Sequence, residues 1–226
     1  MIDSKRLTRW YDFQAPVYHF WRDNYESSLV AVVAKLLTDN ESPKEVLDVG
    51  CGSGLLAVGL GIKHPNWRIT GVDPSIGMLT IARKAAIKRG LGNLVFTEGI
   101  VARLEFPDAR FDVIVASGLF PNINDHAGAL AEMKRVLKPG GTMAVIEFDR
   151  TSMGTLSRAF FNCMIIGYRM ISGVFRRFRF AVDWDIEKST IDRSVFLDTL
   201  TNSGFAVSAL RSAGDHMVFV LRNAGT

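Results

Sequence analysis

The sequence predicts an α/β fold: a doubly wound, seven-stranded, mostly parallel sheet with one antiparallel edge strand. Three observations carry that expectation. Short apolar runs alternate with helix-period segments from Glu45 to Phe148, and strands that alternate with helices are joined by parallel crossovers. A glycine-rich turn, Gly50-Cys51-Gly52-Ser53-Gly54, follows the first apolar run directly. Two later apolar runs are separated by Ser212-Ala213-Gly214-Asp215 alone, which suits an antiparallel pair.

The N-terminal stretch is rich in aromatics, with Trp10, Tyr11, Phe13, Tyr18, Phe20 and Trp21. Leu29, Val32, Val33, Leu36 and Leu37 then recur at helical spacing. Residues 1–42 therefore read as a helical lid, ended by Ser42-Pro43. Glu45 to Val49 reads as a buried strand, the glycine turn leads into a helix to about Lys63, and Trp67 to Val72 is the second strand. Asp73-Pro74-Ser75 caps a helix to about Arg89, since Asp or Ser can accept from free backbone N–H groups there. Asn93 to Glu98 and Phe111 to Ala116 are the next strands. Asp125 opens a helix to Leu137, Lys138-Pro139-Gly140-Gly141 ends it, and Thr142 to Phe148 is the fifth strand. A long helical segment, about Met153 to Phe175, marks a helical insertion over residues 151–192. A short helix near Arg193 to Ser203 and strands at Ala206–Leu210 and His216–Leu221 complete one domain, 1–226.

Composition narrows the class. A chain of 226 residues, 48% apolar, can bury a full core and is globular. Cys51 and Cys163 show no metal-ligand spacing, so a reducing, cytoplasmic setting without a metal is expected. MIDSKRLTRWYDF lacks the apolar stretch of a signal peptide. Arg169 interrupts the longest apolar stretch, Ala159 to Phe175, and a spanning helix needs about 20 apolar residues. The net charge of +4 is unevenly placed: Thr151 to Val182 holds Arg158, Arg169, Arg176, Arg177 and Arg179 and no acid. That asymmetry suits either an anionic partner, such as a weak contact with an anionic membrane surface, or a solvated helix face.

In an open α/β sheet, ligands bind beyond the carboxyl ends of the strands, where strand order reverses. Gly50 and Gly52 permit a tight turn and close approach of backbone to ligand, and Gly54 lets the next helix pack near the strand. The spacing is G-x-G-x-G, and Leu55 stands where a dinucleotide fingerprint has its third glycine. Asp48, two residues before the turn, would repel a pyrophosphate and calls for a partner when buried. Asp73 closes the second strand, where a carboxylate can accept from two ribose hydroxyls. Together these favour a ligand carrying an ammonium and a sulfonium but no phosphate, namely S-adenosylmethionine, over a nicotinamide dinucleotide.

On "VLDVGCGSG", "GVDPSIGML", "FPDARFDVIVASG" and "AEMKRVLKPGGTMAVIEF", the chain resembles the class I S-adenosylmethionine-dependent methyltransferases over roughly Tyr11 to Phe148. It is most similar to the ubiquinone and menaquinone biosynthesis C-methyltransferases, whose "YD…A..YD" segment "YDFQAPVYHF" resembles. The resemblance implies a Rossmann-like fold, S-adenosylmethionine as cofactor and S-adenosylhomocysteine as product. It implies that Asp48, Gly50, Cys51, Gly52 and Gly54 cradle the methionine part and that Asp73 holds the ribose. Pro74, Ser75 and Met78 would edge the adenine pocket. Ser117 and Gly118 would face the sulfonium, and Tyr18 would cover the cofactor. The family's third-strand "GDA" is here Gly99-Ile100-Val101, so Ile100 cannot make the aspartate's hydrogen bond: either backbone groups near Val101 recognise adenine alone, or binding is weaker. The second tyrosine–aspartate pair is here Tyr18-His19.

Methyl transfer from a sulfonium is an in-line displacement driven mainly by proximity and orientation. An oxygen or activated ring-carbon acceptor benefits from a general base. His19, beside Tyr18, is the candidate, against a plain role in an aromatic lid. His126 reads as an exposed first-turn residue. Glu147 could contact substrate or cap the next helix, and Asn122 could contact substrate or shape its turn. On the insertion, Phe160 and Tyr168 lie on an apolar face that suits a lid over a lipid-like acceptor, while the arginines fall mainly on another. The short "RRFR" run does not support nucleic-acid binding. The expected activity is methylation of a small apolar acceptor, a quinone-precursor ring carbon first. A phospholipid or small-amine nitrogen, or non-catalytic cofactor binding, stays open.

Overall fold

The computed structural model describes residues 8–9, 11–12, 26–37, 42, 44–148, 193–213 and 216–224. Among these, seven strands form one sheet: β1 (Glu45–Val49), β2 (Arg68–Asp73), β3 (Leu94–Glu98), β4 (Phe111–Ser117), β5 (Leu137–Phe148), β6 (Phe205–Ala213) and β7 (His216–Asn223). Their spatial order is β3-β2-β1-β4-β5-β7-β6. Strands β1 to β5 pair in parallel, and β7 runs antiparallel to both β5 and β6. The antiparallel strand thus sits one place in from the edge, with β6 outside it.

The helices are α1 (Glu26–Leu37), α2 (Leu55–Lys63), α3 (Ile76–Lys88), α4 (His126–Val136) and α5 (Arg193–Asn202), with a 3-10 turn at Phe120–Asn122. One face of the sheet packs on α1, α2 and α3 through Val46, Ile69, Phe96, Val113 and Val115. The other packs on α4 and α5 through Leu47, Val49, Ile114, Ala116 and Phe219. Successive strand residues alternate between these two cores. Both faces are covered, so the central strands read as unbroken apolar runs rather than as alternating ones.

Two helix starts match the expected caps. Ser75 Oγ accepts from the Met78 N–H at 3.1 Å and Asp125 from the Gly128 N–H at 2.8 Å. One boundary differs. Helix α4 ends at Val136, and Leu137 already pairs with Phe111 in the sheet. Pairing resumes at Val113 with Thr142, so Lys138 to Gly141 form an irregularity within β5 instead of a helix-ending loop. Asn223 Nδ2 satisfies the carbonyls of Leu137 and Lys138, each at 3.2 Å, which holds that irregularity against the sheet.

Strand order reverses between β1 and β4, and the crevice beyond their carboxyl ends is where a doubly wound sheet binds its ligand. The insertion at 151–192, and with it Phe160 and Tyr168, lies outside the described residues, as do Tyr18 and His19.

Candidate functional site

The glycine turn forms the floor of this crevice. Gly50 and Cys51 donate their N–H groups to Val72 O at 2.8 and 3.0 Å, tying the turn to β2. Gly50, Gly52 and Gly54 all have positive φ, but the three absences serve different ends. A Cβ at Gly54 would stand 2.7 Å from Ala82 Cβ and 3.1 Å from the Phe96 ring, so this glycine lets α2 start against α3 and β3. A Cβ at Gly50 would meet Leu119 at 3.0 Å. At Gly52 nothing lies within 4 Å. Of the turn's three glycines, Gly52 is the one whose missing side chain leaves space for a ligand.

Two carboxylates flank the turn. Asp73 is 9% exposed. Its Oδ2 accepts from the Gly52 N–H and its Oδ1 from the Ser75 N–H, both at 2.9 Å. A carboxylate has about four lone-pair sites, so acceptor capacity remains for a ligand. Burial pushes the Asp73 carboxyl above its ordinary value, the two N–H groups pull it back, and the charge of Asp12 adds to the rise. Asp48, at the end of β1, is buried and lines the crevice with Gly50, Cys51, Ser53 and Ser117. The Cys51 thiol is pushed well up by burial, then by the charges of Asp48 and Asp73. It stays protonated and is a packing group, not a nucleophile.

The β4 side is built from a loop held at several points. The Gly118 N–H donates to Ile146 O at 2.8 Å, and Asn122 Nδ2 donates to Gly118 O at 2.7 Å. Glu147 is buried, and its Oε1 accepts from the Phe120 N–H at 3.1 Å. His126 is not the exposed residue expected of a first helical turn. It is half-buried, its Nε2 donates to Phe120 O at 2.9 Å, and its ring sits edge-on to Phe120 and Phe196. Asn122, Glu147 and His126 thus all brace this loop.

On the β2–β3 side, Pro74 is half-buried and Met78 is fully packed. The Gly99 N–H reaches Asp73 O at 3.3 Å, Ile100 is exposed, and Val101 packs partly on the second core.

Tyr11 and Asp12 were not among the site residues expected from the sequence. Asp12 Oδ1 accepts from Ser75 Oγ at 2.6 Å and from the Gly77 N–H at 2.9 Å, at the start of α3. Tyr11 Oη donates to Asn122 Oδ1 at 3.1 Å, on the β4 loop. Two consecutive residues therefore reach opposite walls of the crevice. The pair was visible in the sequence as the Tyr-Asp opening "YDFQAPVYHF", but its partners lie 63 to 111 positions away.

Residues 46–141 match the model of a family described as a methyltransferase domain. The demethylmenaquinone methyltransferase of Thermus thermophilus is 37% identical over 145 residues, covering 62% of this chain; the chain spans 65% of that relative's length. The demethylmenaquinone methyltransferase of Chlorobaculum tepidum is 31% identical over 205 residues, covering 86% of this chain and 82% of the relative. Among solved structures, a SAM-dependent methyltransferase from Aquifex aeolicus superposes with a TM-score of 0.67 at 17% identity, covering 98% of this chain and 99% of the other.

Proposed function

As the chain belongs to the class I S-adenosylmethionine-dependent methyltransferases, close to the menaquinone and ubiquinone methyltransferases, we propose that it methylates a small apolar or lipid-like acceptor. A quinone-precursor ring carbon is the favoured acceptor, in keeping with the relatives' names. The observation that carries the cofactor site is the pairing of buried Asp73 with the open position at Gly52, joined by one hydrogen bond.

The residues present fit the cofactor. A buried, partly satisfied carboxylate at the end of β2 suits two ribose hydroxyls, and acidic Asp48 beside the turn suits a cationic amino-acid end. The open Gly52 and Gly118 positions admit a ligand against the backbone. When bound, S-adenosylmethionine supplies an electrophilic methyl group on a sulfonium.

The chain's part is to bind, orient and exclude water. Asp73 fixes the ribose end while it also ties the glycine turn to the start of α3, so one carboxylate sets both ligand position and wall spacing. Asp48 and the turn hold the amino-acid end. Ser117 and Gly118 form the wall nearest the transfer, held in place by Asn122 and Glu147. His19 is our candidate base for a ring-carbon acceptor and Tyr18 the cover. Phe160 and Tyr168 are candidates for the apolar acceptor wall.

Calorimetric titration with S-adenosylhomocysteine tests the site. Asp73→Ala weakens binding by about 1–3 kcal/mol, the scale of hydrogen bonds to a charged group. Unchanged affinity removes Asp73 from the site. Product analysis over quinone precursors, phospholipids and small amines then tests the acceptor. Methylation of amines or phospholipids alone would overturn the ring-carbon reading.

A further inference from the structure

The segment from Leu55 to Leu94 carries six Lys and Arg residues and a single acid, Asp73. Asp73 is buried at the carboxyl ends of the strands, in the site already described. The cations cluster differently. Helix α2 ends at Lys63 just before β2 begins, and α3 ends at Lys88 just before β3 begins. The final turns of both helices therefore lie at the opposite end of the sheet from the crevice.

On α3, Ile81, Lys84, Ala85 and Lys88 fall at i, i+3, i+4 and i+7, one stripe of the helix. With Ser53 of the glycine turn, Leu55 and Val58 of α2 and the adjoining Arg89, they line a groove of about 360 Å³ that runs along the two helices from beside the crevice to the end of α3. That size falls within the range of ligand pockets, roughly 300–1,000 Å³. The floor is apolar and the rim is cationic. Arg68 is paired with Glu45, and Arg83 donates to Phe96 O. Lys84 and Lys88 make no ion pair among the described residues. Two large apolar side chains in the last turns of α2 and α3 face water: Ile62 at 54% and Ile87 at 78% exposure.

An apolar groove between α2 and α3, with unpaired lysines along it and exposed branched side chains at the helix ends, fits a surface that is itself apolar below and anionic above. We propose that the α2–α3 face docks the protein on an anionic lipid bilayer, with headgroup phosphates on Lys84, Lys88 and Arg89 and with Ile62 and Ile87 entering the interface. Charge complementarity selects this occupant: anionic headgroups attract basic residues placed near the surface. The side chains that enter the interface then add the apolar part of binding.

Flotation of the full chain with phosphatidylcholine vesicles, with and without phosphatidylglycerol, tests the proposal. Binding is expected on the phosphatidylglycerol vesicles alone, and it falls as added salt screens the contact. The double variant Lys84→Gln, Lys88→Gln lowers partitioning about thirtyfold, from about 1 kcal/mol per lysine. Ile87→Ser lowers it about tenfold, since the side chain no longer enters the interface. Circular dichroism and S-adenosylhomocysteine affinity stay unchanged in these variants, which separates the result from the cofactor site. The proposal fails if the chain ignores anionic vesicles at low salt, or if the lysine double variant binds like the parent. It also fails if binding is lost in Arg176→Gln, Arg177→Gln and kept in the lysine double variant.

Discussion

Asp73 shows how one side chain carries several duties. It accepts from Gly52 on one side and Ser75 on the other, and it is buried enough to hold protons more tightly than an exposed aspartate. Ligand hydroxyls need its ionised form as acceptor. Affinity for S-adenosylhomocysteine is therefore full well above the raised Asp73 value and falls as pH drops through it, measured by titration across the acid range. In Asp73→Ala that acid loss is absent. Gly52 and Gly54 separate backbone strain from space. Each loses about 1–2 kcal/mol when a side chain enters the left-handed region. Gly54→Ala adds a Cβ 2.7 Å from Ala82 Cβ, a clash that overpacks the core by roughly 1–3 kcal/mol more. Gly52→Ala is thus the milder change in a urea melt and the more damaging one relative to its stability loss in a cofactor titration. Equal stability losses would contradict this division.

At the scale of elements, the loop before β4 is fastened by one arginine. Arg135 donates to the carbonyls of Leu104 and Phe106 and to the carboxylates of Glu132 and Asp108, at 2.6 to 2.9 Å. Asp108 is well exposed and adds little, so most of the contribution lies with Glu132 and the two carbonyls. Arg135→Ala is expected to lower the urea-derived stability by about 2–3 kcal/mol. The Arg135 hydrogen bond holds the Glu132 carboxyl below its usual value. Its contribution is present above the ordinary glutamate range and lost as pH falls through the lowered value, so the gap between parent and variant narrows in acid. Elements whose signals are local were readable in advance: the Ser75 and Asp125 caps, the glycine turn, and Asp48 and Asp73 at strand ends. The start of β5 was not, because Lys138-Pro139-Gly140-Gly141 has the composition of a helix stop and is kept in the strand by Asn223, 85 to 86 positions away. The roles of Tyr11 and Asp12 were hidden likewise, since no periodicity reveals a partner across the crevice. His126 looked exposed because a helix N-terminus says nothing of Phe196, which arrives from another helix.

At the scale of the molecule, the cofactor crevice and the proposed membrane face adjoin along α2 and α3. The crevice lies beyond the carboxyl ends of β1 and β4, and the basic groove runs from Ser53 and Leu55 beside it along α3 to Lys88 and Arg89. The sheet order has a separate effect on assembly. β6 is made before β7 yet lies outside it, so β6 has no place in the sheet until β7 has slotted against β5. While a ribosome is still extending the chain beyond β6, β5 presents an open edge lined with Met143, Val145 and Ile146, a ready template for another nascent strand. A fragment stopping at Ala213 is therefore expected to self-associate in light scattering under conditions where the full chain stays dispersed. A well-behaved, dispersed fragment would show that something other than β7 shields that edge. The insertion of an interior strand so late makes completion of this sheet the step at which newly made copies are most exposed to one another.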